Sequence, residues 1–392
     1  MEQLGLRTEK GFAITGVKAY LNKDKKENAS LALLGELDAL RIPEHAFANP
    51  ETNAAHCCGH HAQMAGVFGA ALALTVPEIA EKLDGQVVFF ATPAEEYGEI
   101  EFKNQLREQG KIRYGGGKCE LLRIGAFDDI DLCLTHHIRP GNEILVGSGT
   151  GNGFVSKVIR VLGKASHAAG APEKGVNALS AASLGLQALG LNRETFRDED
   201  CVRVHPIITK GGNLVNVIPD EVVVETLVRG KTIEAFTDAA KKTDRSFKAG
   251  AIAMGAKVEI STLPGYLPTL AEEALPELKH AAEISASGIP VIEASGHAGG
   301  STDVGDVQHL MPVYTFNTGG VKGGLHQIDF EVTDEEEAYI VTAKMFALAA
   351  YGLLKEKAQR SRELVDQYEP VFKNSAEYVE FMEQFDSKEI FE

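Results

Sequence analysis

Near-continuous apolar runs over residues 31–37, 86–92, 130–134 and 311–316 have the pattern of strands covered on both faces, which predicts a mostly parallel sheet. Between them, the small-residue run 62–74, the stretch 118–127 and the long periodic segment 335–354 predict helices. From Gly151-Asn152-Gly153 the pattern changes. Residues 154–162 alternate, 175–191 are helical, 202–209 and 221–228 alternate, 232–253 form a long amphipathic helix, and 257–263 are a strand. Strand, helix, strand, strand, helix, strand is the split βαβ order of a small α+β sandwich. The expected fold class is therefore α/β. Residues 1–152 and 266–392 form a sheet with helices on both faces, and 153–265 form an inserted α+β domain. The Gly-x-Gly reads as a hinge, because no strand-turn-helix phosphate context follows it. Residues 99–117, polar with a Gly triplet, read as an insertion or flexible loop, and the tail from about Ala358 as charged and helical.

Composition narrows the class. With 392 residues, 44% apolar and 24% charged, the chain is of ordinary globular type and long enough for two cores. A formal charge of -17 argues against a nucleic-acid groove and against anionic membrane surfaces. The apolar runs 64–76 and 341–354 are too short, or broken by Lys344, to span a bilayer, and no secretion signal opens the chain. Cysteines at 57, 58, 119, 133 and 201 form an odd, unpatterned set that suits a reducing cytoplasm.

The candidate chemistry lies at strand ends. The hexapeptide His56-Cys57-Cys58-Gly59-His60-His61 sits on the turn entering helix 62–74, where the helix dipole favours thiolate over thiol. Strand 31–37 closes on Glu36-Leu37-Asp38, strand 86–92 runs into Pro93-Ala94-Glu95-Glu96, and strand 130–134 ends in Thr135-His136-His137. Gly323-Gly324-Leu325-His326 follows the last strand. The carboxyl ends of parallel strands share one edge, where open α/β sheets hold ligands. Adjacent carboxylates such as Glu95 and Glu96 are costly to desolvate unless a cation sits between them. Cys58, His60, Glu96, His137 and His326 together form a thiolate, imidazole and carboxylate set of the kind that holds one or two divalent ions. Five donors exceed the need of one tetrahedral ion, which favours two. Such a centre activates water and polarises a carbonyl. Glu95 is then the natural general base, although the residues alone leave open the reverse, with Glu95 as ligand and Glu96 as base.

Eight motifs in order resemble one family. They are Glu36-Leu37-Asp38-Ala39-Leu40, His56-Cys57-Cys58-Gly59-His60, Pro93-Ala94-Glu95-Glu96, His137-Ile138-Arg139-Pro140, Gly163-Lys164-Ala165-Ser166-His167-Ala168-Ala169, Asn216-Val217-Ile218-Pro219-Asp220, the loop Gly300 to Asp306, and Leu325-His326. The chain resembles the aminoacylase and carboxypeptidase family of co-catalytic-metal amidohydrolases, closest to the branch of p-aminobenzoyl-glutamate hydrolases, β-alanyl dipeptidases and auxin-conjugate hydrolases. The resemblance implies Glu95 as base, Cys58, His60, Glu96, His137 and His326 as ligands, and Asp38 orienting a ligand imidazole. It implies that His167 and Asn216, on the inserted domain, reach an active site, their own or the partner subunit's, to stabilise an oxyanion. Arg229 and the loop with Gly300 and Ser301 become candidates for holding a substrate carboxylate.

The implied protein is a cytoplasmic homodimer, paired through an inserted lid domain, that cleaves the amide of N-acyl amino acids or dipeptide-like substrates of aminobenzoyl-glutamate or β-alanyl type. The rival readings are a carboxypeptidase or dipeptidase on true peptides, and an inactive binding or scaffold protein, against which the intact donor set argues. One or two divalent ions per subunit are expected; zinc suits the Cys and His donors, while manganese, cobalt and nickel suit carboxylate-rich sites. Departures from the branch are expected to matter. The chain starts late, which predicts an altered sheet edge; His61 stands where the branch has Asp or Asn and competes as a ligand; and insertions around 46–55 and 99–118 flank the metal loops. His45, His205, His280, His297 and His309 read as surface or structural, and His56 and His136 as neighbours of ligands. Cys57, Cys119, Cys133 and Cys201 read as small buried apolar residues.

Overall fold

Residues 1–392 are described by a computed structural model. In chain order its main elements are strands β1 (Arg7–Phe12), β2 (Gly16–Leu21) and β3 (Ser30–Glu36), helix α1 (His60–Leu74), strand β4 (Gln86–Thr92), helices α2 (Ile100–Glu108) and α3 (Gly117–Arg123), and strands β5 (Leu132–Ile138) and β6 (Ile144–Val146). There follow β7 (Gly153–Leu162), α4 (Ala178–Asn192), β8 (Arg203–Val204), β9 (Ile207–Lys210), β10 (Glu221–Gly230), α5 (Ile233–Met254) and β11 (Lys257–Tyr266). The remaining elements are α6 (Pro276–Ser285), β12 (Val291–Glu293), β13 (Val313–Thr318), α7 (Thr342–Gln367), α8 (Ser375–Glu383) and β14 (Ser387–Phe391).

The chain divides into two compact units. The first, residues 1–150, 270–297 and 303–378, holds an eight-stranded sheet in the order β1-β2-β4-β3-β5-β13-β6-β12. Its central strands β4, β3, β5 and β13 are parallel, and the β1–β2 hairpin continues the sheet antiparallel to β4. Every residue of β3 is buried, which is why its sequence runs apolar without alternation. Leu31, Leu33, Val87 and Phe89 of the sheet share a core with Val67, Ala70 and Leu74 of α1 and Met345, Phe346 and Leu353 of α7. Because the four central strands run one way, Glu36, Thr92, Ile138 and Thr318 finish on one edge.

Three local features differ from the sequence expectation. Strand β5 runs on to Ile138, so His136 and His137 lie within it rather than after it. The segment 99–117 contains the amphipathic helix α2 rather than loop alone. The helix expected over 335–354 starts as a π-helical turn, Glu336–Val341, and continues to Gln367 across a break at 355–358. Asp84 holds that break, its carboxylate accepting from Lys357 N–H at 2.6 Å and its own N–H donating to Leu354. The span Glu336–Gln367 is long and apolar enough to cross a membrane by length and composition, and half of its most apolar window is buried inside the protein, where its Met, Phe and Leu residues serve the core.

The second unit comprises residues 151–269, 298–302 and 379–392. Its antiparallel sheet runs β8-β10-β7-β11-β14, with β9 also pairing β10. Strand β10 alternates strictly between buried and half-exposed positions, as its sequence does. Helices α4 and α5 pack on the sheet through Ala178, Ala182, Phe247 and Ala251 against Ile159, Val224 and Ile260. Asn177 caps α4 and Thr232 caps α5. Residues 298–302 and 379–392 were expected with the first domain. They group with the second unit instead, the tail because β14 pairs with β11 from Val258↔Phe391 to Thr262↔Ser387.

Candidate metal centre

The shared edge of the parallel strands is packed so tightly that two glycines become obligatory. Gly59, between Cys58 and His60, has φ 81°, and a Cβ there would lie 2.0 Å from Cγ2 of Ile138. At Gly117 a Cβ would lie 1.5 Å from the Pro93 carbonyl oxygen, so α3 begins hard against the turn that carries Glu95 and Glu96. Ala94 (φ 55°) and His326 (φ 64°) hold left-handed conformations without glycine's freedom, a strain of about 1–3 kcal/mol each. Hydrogen bonds fix the result. The N–H of Glu96 donates to Asp38 Oδ2 at 2.8 Å, that of Gly117 to the Ala94 carbonyl at 2.9 Å, and that of His326 to the Cys57 carbonyl at 2.9 Å.

On this frame the donors converge. Cys58 Sγ lies 3.4 Å from His137 Nε2 and 3.2 Å from His326 Nε2, and His326 Nε2 lies 2.9 Å from Glu96 Oε1. Three groups of donors each lie within 4.8 Å: Cys58, His60 and His137; Cys58, Glu96 and His326; and, on the inner side, Glu36, His60 and Glu95. Cys58 belongs to both of the first two. Ligands about 2.0–2.3 Å from a tetrahedral ion are separated by roughly 3.3–3.7 Å, close to these spacings. Each inner imidazole is held from behind, His137 Nδ1 on the Ile138 carbonyl at 2.7 Å and His60 Nδ1 on the Asp38 carbonyl at 3.0 Å, so that Nε2 is the nitrogen offered. The residues therefore fit two divalent ions sharing one thiolate.

Electrostatics support a cation there and correct one expectation. Cys58 precedes the first residues of α1, yet burial pushes its thiol up to about 12, outweighing the helix end; a thiolate at this position needs a cation beside it. Burial works against a charged His60, but the Glu36 carboxylate and the hydrogen bond with Asp38 raise it to about 12. Asp38 is brought down to about 2, burial being overcome by its hydrogen bond with His60 and the charge of that ring. Glu96 is held below its ordinary range, its burial offset by the hydrogen bond with His326. Burial, together with the carboxylates of Glu36 and Asp303, pushes Glu95 well above the usual carboxylate range.

His61 does not join the donors. Its ring stands 5.5 Å from His56 and 6.1 Å from Tyr339, and burial with the His56 charge lowers it to about 4. His136 is a core residue, bonded to Thr318 Oγ1 at 2.8 Å, and His45 is structural, bonded to the Phe330 carbonyl at 2.8 Å. Three residues not assigned from sequence close the inner side of the site: Glu36, Lys118 and Asp303. Glu36 and Asp303 fall inside motifs quoted above, whereas Lys118 reads as the polar start of a helix, and its partners are distant in sequence. Helix α2 also helps wall a cavity of about 670 Å³ whose lining includes Asp38, Glu96, Phe102, Lys103 and Tyr114.

His167, Asn216, Arg229, Gly300 and Ser301 lie in the second unit. His167 and Asn216 are neighbours there, Ala168 N–H donating to the Asn216 carbonyl at 3.0 Å, and both are exposed. The guanidinium of Arg229 lies over the Phe154 ring at 5.7 Å, and the Gly300 carbonyl accepts from Asn152 N–H at 2.9 Å.

A parallel sheet edge carrying two candidate donor sets that share a thiol, together with a second α+β unit, defines the class of two-unit α/β proteins with a candidate metal site at the sheet edge. The chain belongs to peptidase family M20/M25/M40, whose profile matches residues 32–351. It is 28% identical over 311 residues to the Xaa-Arg dipeptidase of Mus musculus, over 77% of this chain and 64% of that protein, so it spans slightly less than two thirds of that relative. It is 25% identical over 371 residues to the N-acetyl-L-cysteine deacetylase of Bacillus subtilis, over 90% and 82% of the two chains. Its fold is that of a solved Bacillus subtilis protein described as a dinuclear metal binding peptidase from the M20 family (TM-score 0.61, 23% identity, 90% and 89% covered).

Proposed function

We propose that the chain is a metal-dependent amidohydrolase that cleaves the amide of N-acyl amino acids or dipeptides. The observation that carries this reading is the position of Cys58 in two donor groups, with Glu95 beside them at the end of β4. Cys58, His60 and His137 would hold one divalent ion, and Cys58, Glu96 and His326 the other. Bound there, such ions supply a Lewis acid that acidifies water and polarises a carbonyl near neutral pH. Glu95, next in sequence to the ligand Glu96, takes the proton of the attacking water and delivers it to the departing amine nitrogen. Asp38 keeps His60 oriented through its ring Nδ1. The substrate class is supported by the relatives' names, which include a dipeptidase, an indole-3-acetyl-aspartic acid hydrolase and a p-aminobenzoyl-glutamate hydrolase subunit.

In this reading His167 and Asn216 stabilise the oxyanion, and Arg229 with Gly300 and Ser301 hold the substrate carboxylate. Residues 153–265 form a lid and dimerisation domain in a cytoplasmic homodimer; exposed Ile207, Ile208, Leu214 and Val215 of the second unit support that pairing. Zinc is the favoured ion for the thiolate and imidazole donors.

The test is metal content by mass spectrometry on protein purified without chelator, joined to release of free amine from a panel of acyl-amino acids and dipeptides. One to two equivalents of metal and turnover that disappears in Glu95→Gln, with metal retained, are expected. No metal after incubation with zinc or manganese, or undiminished turnover in Glu95→Gln, rejects the mechanism.

A further inference from the structure

Lys118 is fully buried, as is Asp303, and Glu36 is only 3% exposed. Asp303 grips Lys118 twice, accepting its backbone N–H at 2.7 Å on one oxygen and its ammonium at 2.6 Å on the other. The ammonium also donates to Glu36 Oε1. The second oxygen of Glu36, Oε2, lies 3.2 Å from His60 Nε2, the nitrogen that faces the donor cluster. Asp303, Lys118, Glu36 and His60 thus form an unbroken series from the start of α3 to a metal-site imidazole, with Asp38 closing it behind the ring.

We propose that Lys118 is a positioning residue for the metal centre: anchored by Asp303, its ammonium holds the Glu36 carboxylate on the metal-facing side of His60. The inference rests on the metal-centre reading above and adds to it residues outside that donor set. A pair serving stability alone would be expected to spend both Glu36 oxygens on the cation or on backbone N–H groups. Here one oxygen meets the cation and the other meets the imidazole. Glu36 also lies within 4.8 Å of donor atoms of His60 and Glu95, and a buried carboxylate so close to another needs a positive partner. Lys118 supplies it as a fixed charge, so Glu36 can stand beside the ion site without requiring a cation of its own. The obligate Gly117, against which no side chain fits, lets α3 begin close enough to Pro93 to deliver the ammonium.

The experiment is titration of the full chain with cobalt(II), reading the visible ligand-field and thiolate-to-cobalt bands, and affinity by chelator competition, for the wild type, Glu36→Gln, Lys118→Met and the double variant. Glu36→Gln and Lys118→Met are each expected to alter the spectrum and to weaken binding about 10- to 100-fold, the range for outer carboxylates placed against metal ligands. The double variant is expected to be no weaker than the worse single, since both act through one carboxylate. Lys118→Met leaves two buried carboxylates without their cation and can unfold the chain; Glu36→Gln keeps the Lys118–Asp303 pair and therefore decides the question, with its melting curve as control. An unchanged cobalt spectrum in folded Glu36→Gln, or an equal loss from Lys118→Met in both backgrounds, overturns the proposal while leaving the metal centre standing. A wild type that takes up no cobalt overturns both.

Discussion

His326 donates its backbone N–H to the carbonyl of Cys57 at 2.9 Å, joining a loop near the end of the first unit's sequence to the turn that enters α1. This main-chain bond helps set the shared thiol of Cys58 and the exposed imidazole of His326 3.2 Å apart.

Because Cys58 belongs to two donor groups, its loss is expected to matter more than loss of a donor belonging to one. Cys58→Ala should reduce bound metal below the content of either His137→Ala or His326→Ala, measured by mass spectrometry after identical purification. Equal contents in the three variants count against a bridging thiolate.

Removing metal should lower stability by mass action. At a free metal concentration of about a hundred times Kd, binding stabilises the folded chain by about 2.7 kcal/mol. Chelation followed by dialysis should therefore lower the first thermal transition by several degrees, and readdition of zinc should restore it. A melting curve indifferent to chelator would speak against a site formed by folding.

Gly59→Ala should be severe for a change of one methyl. The left-handed φ of 81° costs an alanine about 1–2 kcal/mol, and the clash with Ile138 adds about 1–3 kcal/mol. A urea midpoint corresponding to a loss of about 2–5 kcal/mol is expected; a shift below 1 kcal/mol would mean that the β5 end moves aside easily.

Glu272 should impose a pH dependence of its own. One of its oxygens accepts Thr315 N–H at 3.1 Å, the other is buried without a partner, and burial pushes the carboxyl well above its ordinary range. The folded state then holds this proton at pH values where the unfolded chain has released it. Stability falls as pH rises from the unfolded value of about 4.3 toward the folded one, by at most about 1.4 kcal/mol per pH unit from this group. Glu272→Gln cannot ionise, so its stability relative to wild type should grow between pH 5 and pH 8 in urea titrations. A constant difference across that range is incompatible with this account.

The strands that carry the donors were legible because a buried parallel strand must be apolar throughout, which makes a charged or metal-binding terminus conspicuous. Glu95-Glu96 after β4 and His326 after a Gly pair stand out for that reason. The supporting residues were not legible in the same way. Lys118 follows three glycines in a polar stretch, and its pairing with Glu36 and Asp303 exists only once strands distant in sequence lie side by side. Helix entry at Cys58 is visible in sequence, whereas the burial that pushes its thiol up is not. His61 adjoins a donor in sequence, but helix geometry turns it toward His56 and Tyr339.

The pairing of β14 with β11 has a consequence for how the chain is made. The second unit draws on three stretches of sequence, and the strand bordering β11 comes from residues 387–391. As the ribosome emits the chain, β7, β10 and β11 can assemble while one border of that sheet still exposes unpaired main-chain groups, and it stays so through more than a hundred further residues. An open border of this kind invites pairing with another nascent chain. The main chain of β14, arriving last, seals that border, with the exposed ion pairs Glu389–Lys248 and Glu392–Lys257 alongside it.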